Sequence, residues 1–236
     1  MTTVSYRMKR SSPGAELGAV ARLLYWLMLR NMSSEGITYS DPNPPNGSSL
    51  PGCIVASPSY STDEISKTSQ DYVYNWTRDA AMVAIELARF GPTAGDTARA
   101  SRLNDYVSFA DTCQKSSRAD LSYAAYTIAG QPREPWPHQN DGPALQTIAI
   151  LNAFEMLDEE TQDTARNVMQ KNVEFILSQY AQPSYNLWEE VKGQSFFTRA
   201  VQLQCLDQLA GNSVGIDVPP SSDEVRTWLR KAMDEH

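Results

Sequence analysis

Apolar residues recur along most of this chain at helical spacing, and the strict alternation of a half-buried strand is nearly absent. The pattern predicts an all-α chain with helices over roughly 16–31, 79–90, 97–114, 143–157, 162–180, 195–210 and 223–235. These segments differ in how far round the helix their apolar residues run. Ala80 to Leu87 and Ala144 to Leu157 are apolar on most sides, whereas Leu103, Tyr106, Val107, Ala110 and Cys113 form one stripe. Ala165, Val168, Met169, Val173, Ile176 and Leu177 form another. From the second helix onward, broadly apolar and one-faced helices alternate. That suits antiparallel helix pairs in two concentric layers, an α/α toroid. The region from Ser33 to Asn75, containing DPNPPNGSSLPG, is too long for a simple connection and too rich in turn signals for a linker. It is expected to be a functional loop with short extended pieces.

Leu17 to Leu29 (LGAVARLLYWLML) follows Lys9 and Arg10 and superficially resembles the apolar part of a signal peptide. Arg22 interrupts it, no small-residue cleavage site follows, and it is too short to span a bilayer. It reads as a core helix. No targeting segment is otherwise visible, which predicts a cytoplasmic location with no membrane partner; a secreted chain stays an alternative if the N-terminus is incomplete.

At 236 residues and 41% apolar, the sequence fits a single domain over 1–236 with enough apolar material for a core. Its net charge of -8, with Lys and Arg scattered, leaves no basic stripe and argues against nucleic acid as a partner. Cys53, Cys113 and Cys205 are odd in number and widely spaced, so they read as packing residues rather than a disulfide framework or zinc site. With His138 and His236 the only histidines, a His-rich metal centre is excluded. No metal or cofactor is expected.

Three motifs each precede a predicted helix: WTRDAAM (Trp76 to Met82), WPHQNDGPAL (Trp136 to Leu145) and LWEEVKGQSFF (Leu187 to Phe197). If those helices form the inner layer of a toroid, their N-termini share one rim and the three motifs converge on one pocket. Tryptophans, an arginine and carboxylates suit sugars, because indole faces stack on pyranose rings while Asp and Arg hydrogen-bond hydroxyls. Glycosidic cleavage also needs a carboxylic acid to protonate the departing oxygen. Each motif has a plainer reading as well. Thr77 and Asp79 suit an N-cap and a first-turn acid, and Asp141-Gly142-Pro143 suits a helix start. Trp136 and Trp188 fit as partly buried aromatics, and Glu189 and Glu190 as solvated charges.

YVYNWTRDAAM, NDGPAL and NLWEEVKGQSFFT, in that order, resemble glycoside hydrolase family fifteen, the glucoamylase family of inverting, exo-acting α-glucosidases. The likeness runs from LLYWLMLRNMSSEG through PGCIVASPS to about Leu209. It implies a six-fold α/α toroid of the six-hairpin glycosidase type, whose pocket removes glucose from the non-reducing ends of α-glucans. By the same resemblance Glu189 matches the general acid and Glu190 a substrate-contacting carboxylate. Arg78 and Asp79 match the pair that holds the terminal glucose, Tyr72 a tyrosine beside the reaction centre, and Trp76 a wall of the pocket. Trp136, Leu187 and Trp188 complete the expected substrate-binding set. Neither a cofactor nor a metal is implied.

The departures also inform. Trp136 is displaced by one position relative to the family's usual string, AAYTIAGQPREP stands where a GEPKF-like loop is usual, and Asn186 replaces an Asp. These changes predict altered outer subsites and the loss of a charge beside Glu189. The family toroid needs roughly twice this many residues, and its general base lies in an S-A-E-Q-like string that does not occur here. The chain therefore reads as about the first half, expected to be inactive alone. Apolar flanks on its first and last helices, with Trp228 and Leu229 in the last, predict self-association. The alternative is a non-catalytic glucan-binding or helical interaction protein derived from this family.

Overall fold

The computed structural model describes residues 13–40, 47–58, 72–90, 97–118, 120–211 and 214–235. Seven α-helices account for most of them: α1 (Pro13–Leu29), α2 (Thr77–Phe90), α3 (Thr97–Ser116), α4 (Gly142–Ala153), α5 (Glu159–Gln179), α6 (Phe196–Gly211) and α7 (Ser221–Asp234). Two antiparallel pairs of two-residue strands lie in the connections. β1 (Asn75–Trp76) pairs antiparallel with β2 (Ala125–Tyr126), and β3 (Ser184–Tyr185) with β4 (Lys192–Gly193).

Helix α4 is the centre of the arrangement. Every residue from Gly142 to Ile150 is buried, as expected for a helix apolar on all sides. It packs on α2, α5 and α6, while α3 packs on α2 and α5, and α7 on α6. The helices apolar on most sides thus lie inside and the single-stripe helices outside, the two-layer order that the alternating pattern predicts. One main core joins residues of α2 through α7. Within it, three amides tie outer to inner helices: Gln114 Nε2 donates to Asn172 Oδ1 (2.8 Å), and Asn172 Nδ2 to Gln146 Oε1 (3.0 Å).

The region predicted as a loop forms isolated bridges at Met32–Ile54 and Ser40–Ser48. Residues 41–46 and 59–71, including the DPNPPN part of the turn-rich string, lie outside the described residues. Its described part is structural: Tyr39, Cys53 and Val55 form a second core with Val73, Phe109, Cys113, Tyr126 and Ile128. Gly52, at φ +83°, lets this segment close on α3, since a Cβ there would stand 1.9 Å from the Asp105 carbonyl oxygen. All three cysteines are free and buried, and burial pushes their thiols well above the ordinary range.

Two expectations about the end helices are corrected. Helix α1 is not a core helix: Leu17 is 71% exposed and Leu24 59%, and among its described side chains only Tyr25, Met28 and Leu29 join the core. An apolar run shows which residues favour burial but not whether another element covers them, and the described elements leave the Leu17–Leu27 side open. In α7 the reverse holds. Leu229 is fully buried, and Trp228 packs edge-to-face on Tyr180, with ring centroids 5.1 Å apart. The stripe expected to be exposed faces α6 and the end of α5. No described helix is long and apolar enough to cross a membrane.

Candidate active site

The three motifs do share one rim. Trp76 ends β1, where its pairing with Ala125 fixes it against the β2 connection, and Arg78 and Asp79 follow in the first turn of α2. The HQND stretch enters α4, and β3 turns through Asn186–Glu190 into β4 and then α6. Tyr185 N–H donates to the His138 carbonyl (3.1 Å), stitching the second connection to the third.

Arg78 organises the rim. Its Nη1 donates to Asp141 Oδ2 (2.9 Å) and Gln139 Oε1 (2.6 Å), and its Nη2 to the Leu187 carbonyl (3.3 Å). Asp141 is nearly sealed from water, with 3% of its side chain exposed. It stands at the N-cap position of α4, as the helix-start reading expects, but makes no side-chain cap bond; its carboxylate is spent on Arg78 instead. Gln139, buried, passes the contact on: its Nε2 donates to the Asn186 carbonyl (3.0 Å) and to Glu189 Oε1 (3.4 Å). Trp76 Nε1 donates to the same Glu189 oxygen (3.1 Å).

Glu189 occupies the left-handed region at φ +63°, which costs a residue with a side chain about 1–3 kcal/mol unless its surroundings hold it there. Asn186 supplies that hold. Its carbonyl accepts from Glu189 N–H (2.9 Å), and its Oδ1 accepts from the N–H groups of Glu190 (3.1 Å) and Val191 (3.4 Å). The residue expected to matter through a missing charge therefore shapes the turn that aims Glu189 at Trp76 and Gln139.

Asp79 lies beside the Arg78 guanidinium (3.8 Å), with 48% of its side chain exposed. Desolvation raises its pKa, Arg78 draws it back down, and the Asp141 and Glu189 carboxylates push it up again. Its exposure means that water tempers the shift. Asp79 is thus a carboxylate poised at the surface, whereas Asp141 is a structural anion.

The aromatic wall is built from Trp76, with Tyr72 6.2 Å and Trp136 5.9 Å away by ring centroid, the latter edge-to-face. The Arg133 guanidinium lies over the rings of Tyr74 (3.8 Å) and Trp136 (4.2 Å). Of the residues expected at the site, Tyr72, Trp76, Arg78, Asp79, Trp136, Leu187 and Glu189 come together. The carbonyl of Leu187, rather than its side chain, makes the contact with Arg78. Trp188 is 74% exposed and Glu190 is exposed, so both lie at the outer edge of the turn. Gln139 and Arg133 were not anticipated, and Asp141 was anticipated only as a helix start. All three precede α4, and the available signal was a run of polar residues directly before a helix with no polar face of its own.

The profile of the family described as Glycosyl hydrolases family 15 matches residues 27–212. Glucoamylase S1 of Saccharomyces cerevisiae is 31% identical over 185 residues, covering 67% of this chain and 23% of that protein. Glucoamylase-1 of Schizophyllum commune is 34% identical over 169 residues, covering 64% of this chain and 27% of its own. Among solved structures, the glycoside hydrolase family 15 glucoamylase from Hypocrea jecorina superposes with a TM-score of 0.73 at 22% identity, over 94% of this chain and 37% of that one. The glucoamylase from Saccharomycopsis fibuligera gives 0.68 at 21% identity, over 88% and 45% respectively. The fold is thus that of part of an (α/α)6 toroid, and the chain spans less than half the length of these relatives.

Proposed function

The chain belongs to glycosyl hydrolases family 15, and from that premise we propose that it carries the acid side of an inverting, exo-acting α-glucosidase that releases glucose from non-reducing ends of α-glucans. The observation that carries this reading is the hydrogen bonding of Glu189. One of its oxygens, Oε1, accepts from both Trp76 and Gln139. In the acid form, the proton then resides on Oε2, the oxygen left for a departing glycosidic oxygen. Proton transfer from Oε2 as the C1–O bond breaks prevents alkoxide build-up. A water entering from the opposite face of the ring completes the inversion, activated by a second carboxylate about 6.5–9.5 Å from the first. Asp79 holds the terminal glucose: its exposed carboxylate accepts from sugar hydroxyls, while Arg78, bound to three protein acceptors, keeps it in place.

Asp79→Asn is expected to weaken maltose or acarbose binding about tenfold or more, read by calorimetry on the folded variant. Stability should move the other way. An acid whose folded pKa is raised binds its proton more tightly when folded, so stability falls as pH rises through that pKa and the loss persists at neutral pH. The neutral Asn avoids that loss. The variant should melt at or above the wild-type temperature at pH 7, and the difference should vanish only below about pH 3, where the carboxyl is protonated in both states. Unchanged sugar affinity would leave Asp79 as a first-turn helix acid only.

No S-A-E-Q-like string occurs in the 236 residues, so the chain by itself is expected to bind sugar without turning it over. The exposed side of α1, with Leu17, Val20, Leu23, Leu24, Trp26 and Leu27, is expected to drive self-association. The test is to purify residues 1–236, measure mass by light scattering against the 26.2 kDa chain, and assay glucose release from maltose, maltotetraose and starch. Leu23→Glu with Trp26→Glu should restore the monomer. Robust turnover by a monomer, abolished by Glu190→Gln, would place a base within this chain and overturn the reading of an acid side alone.

A further inference from the structure

A cavity of about 1240 Å³ among the described residues lies away from the carboxylates just described. It is a groove between the ends of α3 and α5 and the two connections that enter α4 and α6. Neither Trp76, Arg78, Asp79 nor Glu189 lines it; Trp136 is the aromatic common to the groove and the wall of the candidate site. Its size exceeds the roughly 300–1,000 Å³ of a pocket for one small ligand, and its open form suits an extended chain.

The chemistry of its walls narrows the ligand. Trp136, Phe175 and Tyr185 supply aromatic surface at three points. The ionic groups are of mixed sign, with Arg118, Lys171 and Lys192 against Asp120 and Glu174, which favours a neutral ligand over a phosphate or a metal cation. A sugar ring is neutral, and it presents hydroxyl edges that donate to carboxylates and accept from ammonium and guanidinium groups, together with an apolar face that stacks on aromatics.

We propose that this groove is a second saccharide-binding site, taking a linear oligoglucan of several residues alongside the site at Glu189. The choice of glucan among saccharides rests on the function proposed above; the groove itself does not. Such a site would keep the polymer attached while successive chain ends enter the pocket, adding affinity for long substrates through effective concentration rather than through new contacts at the acid.

The experiment uses the whole 236-residue chain and a maltohexaose probe bearing a diazirine at its reducing end, with covalent adducts mapped by mass spectrometry after irradiation. Adducts are expected on residues 118–122 and 171–185, competed by unlabelled maltohexaose but not by polyethylene glycol of equal length. Ser178 lines the groove from the exposed side of α5, so Ser178→Arg projects a long charged side chain into it without touching the core. That variant should lower groove labelling by about tenfold or more while leaving labelling around Trp76 and Glu189 unchanged, and Ser178→Ala should label as wild type. Adducts confined to the neighbourhood of Trp76 and Glu189 would overturn the groove and leave the glucosidase reading standing. Groove adducts alone, lost in Ser178→Arg, would support the groove and count against sugar binding at Glu189. Absence of adducts at either place, or groove labelling insensitive to Ser178→Arg, would overturn the proposal.

Discussion

Glu189→Gln should reduce glucose release by about 10²–10⁴-fold in a chimera that joins this chain to the C-terminal portion of a glucoamylase relative, the portion from which the proposed mechanism requires the base to come. The substitution isolates proton donation because it spares the geometry. A Gln carbonyl still accepts from Trp76 Nε1 and Gln139 Nε2, the two donors to Oε1. The turn at residues 186–190 is also retained, because Asn186 holds it through backbone N–H groups. Sugar affinity should therefore stay within a few-fold, and kcat rather than KM should carry the loss. A glucosyl fluoride, whose leaving group needs little protonation, should suffer much less than maltose. Equal losses on the two substrates would mean that Glu189 stabilises charge or positions the sugar rather than donating a proton.

The helices of this chain were legible because each inner helix is apolar on most sides and each outer helix from α3 onward has one stripe. The prediction of 79–90 for a helix that runs Thr77–Phe90, and of 143–157 for Gly142–Ala153 with a 3-10 turn at Phe154–Met156, reflects how directly that period is written. Which stripe is covered was not legible. Leu229 and Leu24 are equally apolar letters, yet one is fully buried and the other 59% exposed. Cover comes from another segment: α6 and Tyr180 in the first case, no described element in the second.

The rim was half legible for a similar reason. Trp76, Arg78 and Glu189 contribute the polar groups of their own side chains to the rim, and their placement before inner helices brings them together. Gln139 and Asp141 matter through partners far away in sequence: Arg78 Nη1 for both, and for Gln139 also the Asn186 carbonyl and Glu189 Oε1. A local reading assigned Asp141 to capping α4, which its position supports and its hydrogen bonds do not. The left-handed backbone at Glu189 had no glycine or turn dipeptide to announce it. Asn186, read as a lost charge, turned out to hold that conformation through two backbone donors.

The buried partnership of Arg78 and Asp141 gives the second large expected effect. Arg78→Leu should destabilise the fold by roughly 3–5 kcal/mol, the usual result of removing one member of a buried ion pair. Asp141, with 3% of its side chain exposed, would be left charged and unpaired among the first residues of α4. The acceptors Gln139 Oε1 and Leu187 O would also lose their donor, loosening the contacts that align Glu189. Asp141→Asn in the same chain should return much of the stability, because a neutral amide costs far less to bury than a carboxylate. It should not return maltose binding, since the guanidinium that fixes Asp79 and the Leu187 carbonyl is still missing. Urea titrations with unchanged m-values would measure the first effect, and calorimetric titration of the double variant the second. If the single and double variants unfold at the same urea concentration, Asp141 is hydrated in solution and Arg78 serves the sugar alone. If both properties return together, the arginine acts through the fold and has no separate part in holding the site.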